Sequence, residues 1–376
     1  MEPATSKAQL SNLQIARGVA AAMVVVAHAL HEAGAFAGPE EGGPRTLLNL
    51  GFGVDIFFVI SGFIMMHVAH GEFGRHGAPW RFIARRLARI APLYWMLTAV
   101  MIAGALIAPS LLNVPLGGLR HIVLSLLFIP DWRPDMSIVR PVLALGWTLN
   151  YEMLFYVCFA GALMLPRRLG VVVLTSGFLA MTLLGAWFRV TQTQIAFWTD
   201  PIVLEFVLGV FLALVYRGAW RASARLALML AGIGLVLGVG QPMTWLGFDN
   251  LPRPFEFGLP AVLIVAGAAL GPTWRAGRIT WALIALGDAS YALYLCHPFA
   301  VRVLRVAWRD AIGAVAPAPL YIAACLAVSI ACAFLIHRLI ERPVTDFLQS
   351  RLNRGKSAWP WRPIANSKAE PRRVGL

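Results

Sequence analysis

The sequence predicts an all-α, polytopic integral membrane protein of about ten transmembrane helices with both termini in the cytoplasm. Three observations predict it. First, 59% of the 376 residues are hydrophobic and only 13% are charged, with a mean hydropathy of +0.71, whereas a soluble domain carries about a quarter charged residues. Second, the apolarity is blocked into long runs, each near the roughly 20 residues that a spanning helix needs. Third, the joints between runs are rich in arginine, as cytoplasmic loops are.

The apolar runs lie near residues 13–32, 50–68, 90–108, 146–165, 169–187, 202–216, 225–240, 258–271, 281–299 and 318–337. Arg75, Arg81, Arg85, Arg86 and Arg89 separate the second run from the third, and Arg167 and Arg168 follow the fourth. Arg217, Arg221 and Arg225, then Arg275 and Arg278, then Arg338 and Arg342 mark later joints. All these clusters fall on one side only if the apolar stretch 119–130 does not cross, so it is read as an outer interfacial or re-entrant segment. Arg302, Arg305 and Arg309 then fall outside and are the exception to the pattern.

One integral domain covers 1–342, and the basic segment 343–376 reads as a cytoplasmic tail lying against anionic membrane lipid. The net charge of +14 is placed by topology in the joints and forms no soluble basic face, so no nucleic-acid partner is implied. Cys158, Cys296, Cys325 and Cys332 all sit inside apolar runs and form no C-x-x-C pair, so neither a disulfide framework nor a metal site is expected. Lys7, Arg17 and the stretch Ala35-Phe36-Ala37 also allow a cleaved signal peptide, but the chemistry of the first run argues that it is retained.

Ionisable groups inside apolar runs are costly and therefore mark sites. Arg17 and His28 share the first run. Eleven residues apart, they return to within about 20° of one helix face, with the imidazole roughly 16 Å deeper. Alone, Arg17 also reads as a snorkelling anchor and His28 as a hydrogen-bonded core histidine. Asp55, in the outer part of the second run, needs a partner: a histidine that it orients, or an arginine of another helix. Gly53 and Gly62 flank its run and allow close helix packing. Arg85, Arg86 and Arg89 share a helix face and suit the phosphates of a cytoplasmic co-substrate. Glu152 lies about two turns below the outer surface and is expected to face a cavity. Trp147 and Tyr151, one turn apart, offer a stacking platform for a sugar ring or form part of an interfacial aromatic belt. His297 either binds an acceptor or caps the helix before Pro298, and its neighbour Cys296 points elsewhere. Together these placements put His28, Asp55, Glu152 and His297 in the outer half and the arginines at the cytoplasmic mouth.

The run Leu13–Ala20 ending at His28, the segments Gly53–Phe63, Arg85–Trp95 and Trp147–Tyr156, and Ser290–Pro298 together resemble the membrane acyltransferase 3 family. The resemblance is nearest to its exopolysaccharide O-acetyltransferases of the succinoglycan type, and spans most of the chain in order. It implies a multi-pass protein of the bacterial inner membrane that moves an acetyl group from cytoplasmic acetyl-CoA to a hydroxyl of an exopolysaccharide or lipid-linked glycan. It further implies that His28 is the catalytic histidine, that Arg17 belongs to the same motif, and that Arg85–Arg89 bind the CoA phosphates. The C-terminal SGNH-type domain of some members is not seen in this sequence. His28 then acts as a general base or carries the acetyl group itself. The competing class is a proton-coupled secondary transporter or flippase, which buried His, Asp and Glu would also serve; no halfway repeat supports it.

Overall fold

A computed structural model describes residues 4–34, 48–107, 116–133, 138–218, 220–240, 251–274, 277–312 and 318–353. The tail beyond 353 and the Ala35–Ala37 stretch lie outside the described residues. The chain is built from helices: α1 (Ala4–Gly34), α2 (Gly53–Ala69), α3 (Ala78–Ile107), α4 (Leu119–Leu126), α5 (Trp147–Ala162), α6 (Arg167–Phe188), α7 (Thr193–Trp198), α8 (Leu204–Arg217), α9 (Ala224–Gly240), α10 (Leu259–Leu270), α11 (Arg278–Asp288), α12 (Ser290–Ile312), α13 (Ala318–Ile336) and α14 (Arg342–Asn353).

Among the described residues, five helical stretches are long and apolar enough to cross a bilayer, Leu10–Ala33, Leu50–Ala69, Ala78–Ile107, Arg167–Phe188 and Ala318–Leu352, and the bent pair α11–α12 makes a sixth if it is one span. Outward faces of these spans and of the shorter α9 carry exposed apolar side chains. Val172, Leu183 and Trp187 of α6, Leu228 and Val236 of α9, and Leu320 and Leu335 of α13 are all exposed. Soluble monomers rarely expose apolar surface on this scale. The protein is an all-α, multi-pass membrane protein.

α1 is the hub, touching α2, α10, α11, α12 and α13. The close packing expected of the glycines is present: a Cβ on Gly53 would overlap the Ala20 carbonyl oxygen, and one on Gly62 would overlap that of Phe206. Only glycine lets α2 approach α1 on one side and α8 on the other.

Three departures from the sequence reading shape the site. α3 begins at Ala78, so Arg85, Arg86 and Arg89 stand on a continuous helix that also carries Pro92 rather than in a joint ahead of one. The run 281–299 is broken at Ala289, where α11 and α12 meet at 74°, and α12 continues past Pro298 to Ile312. The start of the basic tail is folded, as α14 packs against α3.

The stretch 119–130 is too short to cross, as expected: its helix has 8 residues, about 12 Å. Instead it turns back beside α3: Tyr94 Oη donates to the Ser125 carbonyl at 3.0 Å and Trp95 Nε1 to that of Leu126 at 2.9 Å. Those anchors sit roughly 20 Å short of the end of α3.

Candidate active site

α1, α2, α3, α5 and α12 enclose a cavity of about 150 Å³, with Arg17, Arg85, Arg86, Arg89, Glu152, Tyr291 and Gln349 of α14 among its walls. The helical period explains the cluster. Arg85 and Arg89 are one turn apart, Arg86 shares their side, and Arg17 faces them from α1. The Arg86 guanidinium lies over the Phe82 ring at 5.8 Å, which fixes its aim. Glu152 is held as an acceptor: Ser61 Oγ donates to its Oε1 at 2.9 Å, and the Tyr156 hydroxyl donates to the same oxygen. Four guanidiniums and one carboxylate leave the described walls with a net charge of +3. Such a chamber attracts a polyanion.

Beyond the inner end of this cavity stand two histidines. His28 Nδ1 is 2.9 Å from the Val24 carbonyl and His297 Nδ1 is 3.1 Å from that of Leu293. A carbonyl only accepts, so Nδ1 carries the hydrogen in both neutral rings and Nε2 keeps its lone pair. The rings meet edge to face, with centroids 4.9 Å apart. His297 is fully buried, and its Nε2 has no hydrogen-bond partner among the described residues. Tyr294 separates the pair from the cavity. Its ring packs 6.3 Å from His297 and 6.0 Å from Phe57, and its hydroxyl meets Thr148 Oγ1 at 3.1 Å. The capping role open to His297 is excluded, because it lies inside α12.

Asp55 is not the histidine's partner. Arg253 grips it with two bonds, Nε to Oδ1 at 2.9 Å and Nη2 to Oδ2 at 3.0 Å. Glu205, which sequence reasoning missed along with Arg253, is fully buried 3.8 Å from the same guanidinium. Of the two partners that the sequence allowed Asp55, the arginine is the one present. Glu152 also departs from expectation. It faces a cavity, but the arginine-lined one, and does not share a layer with His28.

The sugar platform is occupied by protein. Tyr151 is 4% exposed and stacks on Phe197 at 4.1 Å. Trp147 carries the Arg140 guanidinium 4.6 Å over its ring and meets Phe58 edge-on. Two of the three arginines that broke the charge pattern have an acidic partner: Glu32, one turn past His28, pairs with Arg302 at 3.8 Å and with Arg305.

The comparisons decide the chemistry. The profile of the family described as Acyltransferase domain matches residues 10–338. The chain belongs to this acyltransferase family. Membership decides for group transfer over the transport alternative. The exopolysaccharide production protein ExoZ of Rhizobium meliloti (strain 1021) is 37% identical over 325 residues, covering 85% of this acyltransferase and 94% of the relative. The acyltransferase MdmB of Streptomyces mycarofaciens is 29% identical over 79% of this chain and 81% of its own. A putative membrane-bound transacylase, BcsY of Komagataeibacter xylinus, is 28% identical over 88% and 82%. No solved structure matches the acyltransferase.

Proposed function

We propose that this acyltransferase moves an acetyl group from cytoplasmic acetyl-CoA to a hydroxyl of an exopolysaccharide or lipid-linked glycan in the bacterial inner membrane. One arrangement supports the reading above others: a cavity walled by Arg17, Arg85, Arg86 and Arg89 that leads along α1 toward the His28–His297 pair. CoA is a polyanion and does not cross a bilayer, so its phosphates stay with the arginines while the slender pantetheine arm carries the thioester inward. The name of the exopolysaccharide relative favours a glycan acceptor.

In this reading His28 Nε2 takes the proton of the acceptor hydroxyl as its oxygen attacks the thioester carbonyl. The new C–O bond forms, the C–S bond breaks, and the imidazolium returns the proton to the departing thiolate. Both histidines start neutral in this reading, and the Nδ1 bonds to backbone carbonyls fix the tautomer that leaves Nε2 free to accept a proton. The cavity ends at Tyr294 and Phe57, so the thioester reaches His28 only when these rings yield.

The deciding experiment is His28→Gln in purified protein reconstituted in nanodiscs. Removing a general base costs about 10²- to 10⁴-fold, so acetyl transfer to the host's glycan is expected to fall by at least that lower figure. Binding of radiolabelled acetyl-CoA should persist. Near-normal transfer by His28→Gln at matched protein levels would reject the assignment. An acetyl group trapped on His28 after exposure to acetyl-CoA alone would move the mechanism to the two-step route.

A further inference from the structure

A second cavity, of about 470 Å³, opens at the end of the molecule opposite the arginine-lined mouth. The side follows from chain direction. α3 runs away from Arg85 and Arg89 toward Ile107. α6 starts at Arg167, which donates to His70 Nε2 at 2.9 Å beside the exit of α2, and ends at Phe188 on the far side. The cavity lies between the α4 entrance, the 131–133 stretch and the link from α6 to α7.

Among the described residues, its walls carry no aliphatic side chain. They include Arg120, His121, Asp131, Trp132, Gln192 and Gln194. Several are fixed by bonds that leave other polar edges over. Arg120 Nη2 pairs with Asp131 Oδ1 at 3.0 Å, Trp132 Nε1 donates to Thr193 Oγ1 at 2.8 Å, and Gln194 Nε2 donates to the Pro130 carbonyl at 3.1 Å. His121 is 5% exposed, yet its Nδ1 finds no hydrogen-bond partner among the described residues and stands 3.7 Å from Asp131 Oδ2. A buried polar atom left over in this way calls for an explanation. Burial holds His121 below the ordinary histidine value while Asp131 pulls it back up.

This set of groups selects among ligands. A lipid tail would need apolar walls. A free phosphate would meet the Asp131 carboxylate. A saccharide ring offers hydroxyls that both donate and accept, matching a carboxylate, a carboxamide and an imidazole, and a C–H face for an indole. Trp132 is 38% exposed, with its N–H pinned and its ring left over. The volume falls within the range of small-molecule sites. A short relay joins the cavity to the histidines. Arg140 N donates to the Asp131 carbonyl at 3.1 Å, and the Arg140 side chain covers Trp147. Thr148, next along, meets Tyr294 beside His297.

We propose that this cavity is a saccharide subsite that holds a unit of the acceptor glycan remote from the hydroxyl being acetylated. The proposal rests on the glycan-acceptor reading above. The subsite makes the enzyme favour extended acceptors over single sugars.

The test uses full-length protein in nanodiscs, acetyl-CoA, and a ladder of oligosaccharides from partial hydrolysis of the host's own deacetylated exopolysaccharide. Trp132→Ala and Gln192→Ala are compared with wild type, and Trp132→Phe tests rescue by a smaller ring. Gln192 is exposed and its side chain makes no helix-capping bond, so its loss leaves the fold intact even if Trp132→Ala does not. Each truncation should raise the acceptor KM about three- to tenfold, the worth of one polar or stacking interaction. The penalty should grow with acceptor length and appear in KM rather than kcat. An unchanged acceptor KM along the whole ladder in Gln192→Ala and in folded Trp132→Ala overturns the subsite. Wild-type protein that acetylates none of the saccharides overturns the glycan reading itself, and the subsite with it.

Discussion

Asp55 and Glu205 lie fully buried around one guanidinium, and Arg253 reaches both from a different part of the chain. Removing the cation would leave two uncompensated carboxyls in an apolar interior. Breaking a buried pair from one side costs about 3–5 kcal/mol, so Arg253→Ala is expected to lower the thermal midpoint in detergent sharply. Asp55→Asn combined with Arg253→Gln should recover part of it. A variant with the wild-type midpoint and no acyl transfer would instead make Arg253 part of the chemistry. The sequence could say that Asp55 needs a partner, because a lone carboxylate at that depth is costly. It could not say which, because 198 residues separate the pair and helix periodicity carries no information about neighbouring helices. Arg17 and His28 were legible for the converse reason: their relation is set inside one helix by the 3.6-residue turn. The His28–His297 contact was hidden in the same way as Asp55–Arg253.

At the scale of elements, α3 and α14 pack together and both line the arginine-rich cavity. The three arginines of α3 depend on a helix that already runs at Ala78, because only a formed turn keeps Arg85, Arg86 and Arg89 on one side. α14 packs on α3 and places Gln349 in the cavity wall. Removing one guanidinium–phosphate bond should cost about 1.5–3 kcal/mol, roughly ten- to a hundredfold in affinity. Arg86→Ala and Arg89→Ala are therefore expected to raise the KM for acetyl-CoA by that factor with kcat largely kept. A fall in kcat at unchanged CoA affinity would assign these residues to topology or packing. Apolar runs and charges announced the existence of most helices. They did not announce the 74° break between α11 and α12, since residues on both sides of Ala289 are apolar enough to continue a single span. Nor did they announce α14, whose helix leans on α3.

At the scale of the whole molecule, arginines at both ends find local partners; near the arginine-lined cavity, Glu72 meets Arg75 and Arg81. At the end opposite that cavity, several guanidiniums are met by acids or covered by rings: Arg120 by Asp131, Arg253 by Asp55, Arg305 by Glu32, and Arg140 by Trp147. Arg302 shares Glu32 with Arg305. At the other end, four guanidiniums converge on a cavity with a single carboxylate. The positive-inside rule acts on charge near the ends of spans, and a guanidinium met by a local acid adds little net charge there. The end bearing Arg75, Arg85 and Arg167 is thus expected to face the cytoplasm, and the end bearing Arg120 and Thr191 the outside. Arg75 and Thr191 are both exposed, which makes them suitable reporters. After Cys158, Cys296, Cys325 and Cys332 are replaced, Thr191→Cys should react with an impermeant maleimide in intact spheroplasts. Arg75→Cys should react only after the membrane is opened. The reverse pattern would place the arginine cavity outside, where no acetyl-CoA is available, and the proposed direction of transfer would fall with it.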